Sequence, residues 1–194
     1  MQKHLFLCGP SGCGKSTLIR NALGASLAGA GGFVTERVSA PDGSLVGFEL
    51  LPSAAAAGVE GFRPLRFLDY RVDPPAKDNE VFRTEAVRLL QEAAWYPFAL
   101  LDEFGGFELV IPQFRAALAD FLSSPVPCVG VLKTLDGAAE LQRRFGLGER
   151  YLALARQLHA ALRADGDTLV LDVSGRCDAA AERALREWAE QYAK

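Results

Sequence analysis

The sequence predicts an α/β fold, a three-layer sandwich with helices on both faces of a mostly parallel β-sheet. Apolar runs typical of buried strands alternate along the chain with segments whose apolar residues recur at helical spacing. A glycine-rich loop joins the first strand to the first helix. The length of 194 residues corresponds to about one domain. We therefore expect residues 1–194 to form a single domain, with candidate lid-like insertions near 52–77 and 136–165.

The first part of the chain predicts a strand, a helix and a hairpin. The apolar run 5–8 indicates the strand, and apolar residues at helical spacing within 16–27 indicate the helix. Two further segments, 33–38 and 45–51, flank a Pro-Asp-Gly-Ser turn at 41–44. Strand-like segments separated by such a turn are typical of a hairpin.

The middle of the chain is irregular before the alternation of elements resumes. Residues 52–77 hold an alanine run, a candidate strand at 66–70 and two consecutive prolines, a pattern typical of an excursion from the sheet or a lid. Asp78 can cap a helix over 79–95. The apolar run 98–102 that follows is suited to a strand buried on both faces.

The last part of the chain predicts two more strands among helical segments. A helix begins near Pro112 and ends before a strand at 128–132. Residues 136–165 have a helical pattern interrupted by Gly-Leu-Gly, and 168–173 indicates a final strand. A closing helix is indicated by an apolar stripe formed by Ala181, Leu185, Trp188 and Tyr192.

Composition and charge exclude several classes of protein. Hydrophobic residues make up 49% and charged residues 23% of the chain, which is typical of a globular protein and not of a disordered or fibrous one. The net charge of −3 argues against nucleic acid or an anionic membrane as a partner. No stretch is suited to a bilayer span or a signal peptide, so we expect a cytoplasmic protein. The sequence identifies no protein partner.

The cysteines do not form a metal-binding or disulfide pattern. Only two of them lie close together in the sequence, and there is no Cys-x-x-Cys motif. We interpret them as buried or incidental thiols in a reducing compartment. They are Cys8, Cys13, Cys128 and Cys177.

A phosphate-binding loop is indicated between the first strand and the first helix, because residues 9–16 satisfy G-x-x-x-x-G-K-[ST]. Small residues let several backbone amides approach a polyphosphate, and the helix N-terminus adds partial positive charge. We expect Lys15 to reach the β- and γ-phosphates and Ser16 to ligate Mg²⁺. The alternative is a glycine-rich turn without a ligand. The predicted contacts with a nucleoside triphosphate, ATP or GTP, come from Gly9, Pro10, Ser11, Gly12, Cys13, Gly14, Lys15, Ser16 and Thr17.

An acidic pair ends the predicted strand at 98–102. Ligands of open parallel sheets collect at the carboxyl ends of the strands, so Asp102 should emerge beside the phosphates and hold Mg²⁺, directly or through water. Glu103 can accept a proton from a water that attacks the γ-phosphorus. We therefore predict that Lys15 and Glu103 are catalytic and that Ser16 and Asp102 hold the metal. The alternative is an acidic pair that ends a strand at the surface.

Together these motifs resemble those of the THEP-type P-loop nucleoside-triphosphatases. The family pattern is close to G-F-x-T-x-E-V-R, then G-F, then D-E-I-G-x-M-E-L with a downstream Phe. The matching segments here are 32–39, Gly47-Phe48, 102–109 and Phe114. The resemblance implies a RecA-like fold with an extra strand between the strand of the phosphate loop and that of Asp102. It also implies slow Mg²⁺-dependent hydrolysis of nucleoside triphosphates with broad base tolerance.

The chain departs from the family pattern at three positions and in one segment. Arg37 and Ser39 stand where the family usually has Glu and Arg, and Phe107 stands in place of Met. Segment 136–165 is longer than the typical family segment. Its arginines are interpreted either as a solvated helix face or as a phosphate lid. They are Arg143, Arg144, Arg150, Arg156 and Arg163.

Further polar residues near the predicted site have open roles. Lys133 or Thr134, at the end of a predicted strand, could sense the γ-phosphate or belong to an ordinary strand exit. Glu108 could orient Lys133, Arg37 or a partner chain, or be a charge on a surface loop. Arg176 matches an arginine of the corresponding family loop, which implies stacking on the base, and a surface position is the alternative.

Three functions compete for these residues. The first is hydrolysis of ATP or GTP to the diphosphate and phosphate, in which Lys15, Ser16 and Asp102 organise charge with Mg²⁺ and Glu103 activates water. The first alternative is a kinase, in which Glu103 deprotonates an acceptor hydroxyl and segment 136–165 closes as a lid. The second is a nucleotide-gated binding module whose hydrolysis acts as a timer.

Overall fold

The computed structural model describes residues 2–175 and 178–193, and its central element is an eight-stranded sheet. Along the chain the strands are β1 (His4–Cys8), β2 (Gly31–Ser39), β3 (Leu45–Pro52), β4 (Leu65–Asp69), β5 (Ala76–Lys77), β6 (Ala99–Phe104), β7 (Cys128–Leu132) and β8 (Thr168–Asp172). Their order in the sheet is β5-β4-β3-β2-β6-β7-β1-β8.

In the described part of the chain, seven α-helical segments flank the sheet. They are α1 (Lys15–Leu23), α2 (Asn79–Val81), α3 (Val87–Glu92), α4 (Pro112–Ser123), α5 (Leu135–Phe145), α6 (Glu149–Ala164) and α7 (Ala179–Tyr192). A π-helical turn at Phe82–Ala86 joins α2 to α3, and short 3₁₀ turns lie at Gly24–Gly29, Ser53–Ala57, Ala93–Trp95 and Phe107–Val110. Within the described ranges 2–175 and 178–193, none of the helices has the length and apolar character to span a bilayer.

The parallel part of the sheet brings the predicted site residues to one edge. β2, β6, β7, β1 and β8 are neighbours and run parallel. β7 lies between β1 and β6, which confirms the extra strand that the resemblance implies. Leu132 at the end of β7 pairs with Cys8 of β1 on one side and with Phe104 of β6 on the other. The phosphate loop, Lys133 and the acidic pair therefore emerge together.

The antiparallel part of the sheet is larger than the predicted hairpin. β2 and β3 form that hairpin, and the turn between them is closed by hydrogen bonds between Ala40 and both Gly43 and Ser44. β4 and β5 continue it as further antiparallel strands. Segment 52–77 thus contributes the two outermost strands on this side of the sheet. Its movement as a lid stays a prediction.

The core is divided into two layers by the sheet, because successive strand residues face opposite sides. In β1, Phe6 and Cys8 pack with residues of α3 and α4, whereas Leu5 and Leu7 pack with residues of α1 and α7. Helices therefore cover both faces. This arrangement confirms the predicted three-layer α/β sandwich.

The two helices of segment 136–165 pack against the loop that follows β6. Leu109 of that loop forms a small buried cluster with Ala138 of α5 and with two residues of α6, Tyr151 and Ala155. The five arginines of this segment are all exposed, as a solvated helix face requires. Closure of the segment over phosphates stays a prediction.

Candidate active site

The phosphate loop connects β1 to α1, and its path requires glycine at two positions. A Cβ atom at Gly9 would lie 2.1 Å from the carbonyl oxygen of Val173, so β1 and the chain after β8 approach too closely for any side chain. Gly14 precedes α1 with a φ of 96°, a conformation that favours glycine. The strand, loop and helix of the predicted motif are thus present in that order.

Lys15 lies across the loop with its side chain buried. Its Nζ donates hydrogen bonds to the carbonyl oxygens of Gly9 at 2.8 Å and Pro10 at 2.7 Å. The ammonium group is therefore held inside the loop that should receive the phosphates. Binding of a triphosphate would exchange these carbonyl partners for phosphate oxygens.

The other loop residues are either exposed on the outer side of the loop or packed beneath it. Ser11, Gly12 and Thr17 are exposed on the outer side. Cys13 lies beneath the loop, where its Sγ is 3.8 Å from the Val173 oxygen, and its backbone N–H donates to Pro10. The thiol therefore packs against the protein body. The amide has a partner within the loop itself instead of pointing outward.

Ser16 and Asp102 meet at the edge of the sheet. The Ser16 hydroxyl donates to Asp102 Oδ1 at 3.0 Å. Burial raises the pKa of the Asp102 carboxyl to about 6, although the hydrogen bond from Ser16 lowers it. A buried carboxylate next to a hydroxyl oxygen matches the oxygen ligands that Mg²⁺ prefers. Mg²⁺ sites commonly use one or two protein oxygens together with water and phosphate, and this pair fits such a site.

Glu103 forms an ion pair with the lysine at the end of the neighbouring strand. Lys133 Nζ lies 2.6 Å from Glu103 Oε1, and the Glu103 backbone N–H donates to Thr35 Oγ1 at 3.3 Å. Thr134 instead caps α5 by accepting a hydrogen bond from the backbone N–H of Gly137 at 3.0 Å. Of the two candidates at this strand exit, Lys133 alone joins the acidic pair. Its role as a γ-phosphate sensor stays a prediction.

Glu108 is buried and bonds to the loop after β6, so its interpretation as a surface charge is wrong. Its side chain is 4% exposed, and its Oε1 accepts hydrogen bonds from the backbone N–H groups of Gly105 and Gly106, both at 2.7 Å. The sequence did not show this because the two amides become donors only when the loop after β6 curls around the carboxylate. Glu108 therefore fixes the loop that follows Glu103.

Two residues of α6 that sequence reasoning did not identify also contact this part of the site, one at the end of β7 and one at the loop after β6. His159 Nε2 lies 2.8 Å from the carbonyl oxygen of Lys133, and the Tyr151 hydroxyl donates to the carbonyl oxygen of Gly105 at 3.5 Å. Both side chains are buried. No local pattern marks them, because they occupy ordinary positions on the inner face of a helix.

A cleft of about 620 Å³ lies over the phosphate loop. Glu103 borders it together with loop residues, and Asn21 of α1 and Glu182 of α7 also line it. These last two residues were not identified from the sequence. Arg176, expected to stack on the base, lies outside the described residues, as does Cys177.

Comparison with known proteins finds a matching family, two similar proteins and a similar solved structure. A family model described as NTPase matches residues 4–149. The cancer-related nucleoside-triphosphatase homolog of Mus musculus is 31% identical over 150 residues, which cover 71% of this chain and 78% of that protein. The homolog of Bos taurus is 31% identical over 142 residues, covering 64% of this chain and 72% of that protein. The crystal structure of THEP1 from Aquifex aeolicus superimposes with a TM-score of 0.60 at 15% identity, covering 94% of this chain and 96% of that one.

Proposed function

The chain belongs to the NTPase family, the THEP-type P-loop nucleoside-triphosphatases, and on this premise we propose that it hydrolyses ATP and GTP with Mg²⁺ as cofactor and Glu103 as general base. The names of the family and of both relatives support triphosphate hydrolysis in general. They do not favour the kinase or the gated binding module. The observation that carries the finer proposal is the meeting of Lys15, the Ser16–Asp102 pair and Glu103 at one edge of the sheet.

The phosphate loop and Lys15 bind the triphosphate. The loop offers backbone amides at the N-terminus of α1, where partial positive charge favours an anion. The Lys15 ammonium adds a full charge at the β- and γ-phosphates. In the structure this ammonium is already inside the loop, 2.7 Å from the Pro10 oxygen. It therefore needs only a change of partners to reach the ligand.

Ser16 and Asp102 would hold Mg²⁺. When bound, Mg²⁺ neutralises charge on the β- and γ-phosphate oxygens. The two residues contribute oxygens from neighbouring elements, the start of α1 and the end of β6, so the sheet edge fixes their spacing. The hydrogen bond between them at 3.0 Å supports this proposal, because it brings the two oxygens next to each other.

Glu103 accepts the proton of the attacking water. It borders the cleft over the phosphate loop, and its side chain is about one-third exposed, at 32%, so water can reach it. Lys133 contacts Oε1, which leaves the second carboxylate oxygen for the proton. The ion pair therefore orients the carboxylate without occupying both of its oxygens.

Phosphate release by the pure protein tests this proposal. We expect release from ATP and GTP in the presence of Mg²⁺, and loss of release when the metal is chelated. Ser16→Ala and Asp102→Asn should each slow release by about tenfold or more. Ser123→Ala, at an exposed hydroxyl of α4 that bonds to Ala119 of its own helix, is the matched control and should not differ from the unaltered protein. Turnover that persists without metal, or in both site variants, would contradict the proposal.

A further inference from the structure

A second cavity adjoins the nucleotide cleft at the end where the γ-phosphate should lie. Its volume is about 270 Å³, and it shares Ser11 and Glu103 with the cleft over the phosphate loop. One water needs only ~10–15 Å³ of such space. The cavity is thus far larger than the attacking water requires, and hydrolysis alone gives no reason for it.

Aromatic rings form one part of the cavity wall. Phe48 of β3 lies 6.3 Å from Phe67 and 6.4 Å from Tyr70, measured between ring centroids. Phe107, from the loop after β6, lies 6.0 Å from Phe67. Phe48 and Tyr70 are only half-buried, so parts of these rings remain available to a ligand. Such walls favour a flat apolar group.

Two guanidinium groups stand at the same cavity without a carboxylate partner. The Arg144 guanidinium lies 4.2 Å from the centroid of the Tyr70 ring, and Arg37 also lines the cavity. In the part of the chain that the structure describes, neither forms an ion pair. Two of the carboxylates along the wall are engaged, Glu103 by Lys133 and Glu108 by backbone amides, which leaves Glu140. Within the described ranges, the guanidinium groups of Arg37 and Arg144 are therefore the cationic groups of the wall that no carboxylate holds in an ion pair.

We propose that this cavity binds a small anion carrying an aromatic ring, beside the γ-phosphate of the nucleotide. The ring lies against Phe48 and Tyr70, and the anionic group meets the guanidinium of Arg144, whose planar array of donors suits a carboxylate or phosphate. The inference rests on the proposed function only for the position of the γ-phosphate. Arg37 and Phe107, two of the three positions at which the chain departs from the family pattern, both line this cavity.

A ligand there would contact the catalytic centre. Ser11 and Glu103 border both spaces, so an occupant of the second cavity displaces water from beside Glu103. Glu103 is also the residue proposed to activate water. Binding of the small anion is therefore coupled to the triphosphate through a shared wall.

Benzoate and benzamide test the inference as a matched pair, since they share a ring and nearly a shape but differ in charge. Each is titrated into the protein with saturating Mg·ADP, which fills the phosphate loop, and binding is followed by ligand-observed NMR. We expect benzoate to bind at least about fivefold more tightly than benzamide, and acetate, which lacks the ring, not to saturate. Arg144→Met should bring the two affinities within about twofold of each other.

Arg143→Met is the control variant, because Arg143 is the exposed neighbour of Arg144 but does not line the cavity. It should keep the preference for benzoate, and Arg37→Met provides a second variant that should reduce it. Equal binding of both probes, binding of neither, or equal loss in the Arg143 and Arg144 variants would overturn the inference. A thermal shift with Mg·ADP alone is recorded first. If Mg·ADP causes no thermal shift, this result counts against the proposed function and not against ligand binding in the second cavity.

Discussion

Lys15 is the residue on which triphosphate binding most depends. We predict that Lys15→Ala abolishes detectable binding or turnover of Mg·ATP, because the ammonium supplies charge to the ligand. The fold should survive at a cost of about 1 kcal/mol, since the lost hydrogen bonds join the side chain to groups of the loop itself, the carbonyls of Gly9 and Pro10 and the Cys13 thiol. Calorimetric titration with nucleotide and thermal unfolding check the two parts. Unchanged affinity and turnover would refute the assigned role of the loop.

Lys133 acts through Glu103, as its 2.6 Å contact with Oε1 indicates. We predict that Lys133→Met lowers kcat for Mg·ATP by about tenfold while KM changes by less than about threefold, because the carboxylate loses its orientation and the phosphate loop stays intact. Lys133→Arg keeps a cation and should recover part of kcat. A fall in affinity with kcat unchanged would instead make Lys133 a contact of the γ-phosphate.

Cys13 offers a chemical probe of the loop. It is half-buried, whereas Cys8 and Cys128 are buried, so it should be alkylated faster than these two. We predict that saturating Mg·ATP slows its alkylation, because the nucleotide covers the loop above it. Mass-spectrometric labelling rates measure the effect, with the peptides of Cys8 and Cys128 as internal references. Equal alkylation rates of Cys13 with and without nucleotide would contradict this prediction and would mean that Cys13 only packs beneath the loop.

At the scale of elements, the loop between β6 and α4 depends on one buried carboxylate. Glu108→Ala leaves the backbone N–H groups of Gly105 and Gly106 without their acceptor. We predict that it lowers the free energy of unfolding by about 2–4 kcal/mol, since each buried donor loses its partner. Urea unfolding measures the change. A loss below about 0.5 kcal/mol would show that water replaces the carboxylate.

The same carboxylate should make stability depend on pH. Burial raises the pKa of Glu108 above its ordinary value of 4.5, against the opposing effects of the backbone hydrogen bonds and of Lys133. A carboxyl with a raised folded-state pKa stabilises the fold most below pH 4.5 and loses that contribution as the pH rises through the folded-state pKa. The stability of the unaltered protein relative to Glu108→Gln should therefore fall as the pH rises. The pKa of Asp102 is shifted in the same direction in both proteins, so its contribution to the pH dependence of stability cancels in this comparison.

The strands and helices with a clear periodicity were predictable from the sequence, and those created by pairing were not. β7 has the bounds expected from its apolar run, and the Gly-Leu-Gly break separates α5 from α6 as expected. β5, in contrast, is only two residues long and exists because Leu68 and Asp69 of β4 pair with it. The π-helical turn between α2 and α3 has no signal in the apolar periodicity of the sequence.

At the scale of the whole molecule, the parallel sheet turns distant motifs into one site. The phosphate loop, the acidic pair and Lys133 were each recognisable from local residues, and the order β6-β7-β1 explains why they meet. What the sequence could not show are the contacts that depend on three-dimensional packing. The support of Lys133 by His159 of α6 and the burial of Glu108 are of this kind.

Turnover by Glu103→Gln tests the central claim most directly. The amide keeps the shape of the side chain but cannot accept a proton at neutral pH. The account predicts that this variant binds Mg·ATP within about twofold of the unaltered protein and releases phosphate at least about tenfold more slowly in a single-turnover measurement. Equal rates of phosphate release would contradict the assignment of Glu103 as the base, however tightly the nucleotide is bound.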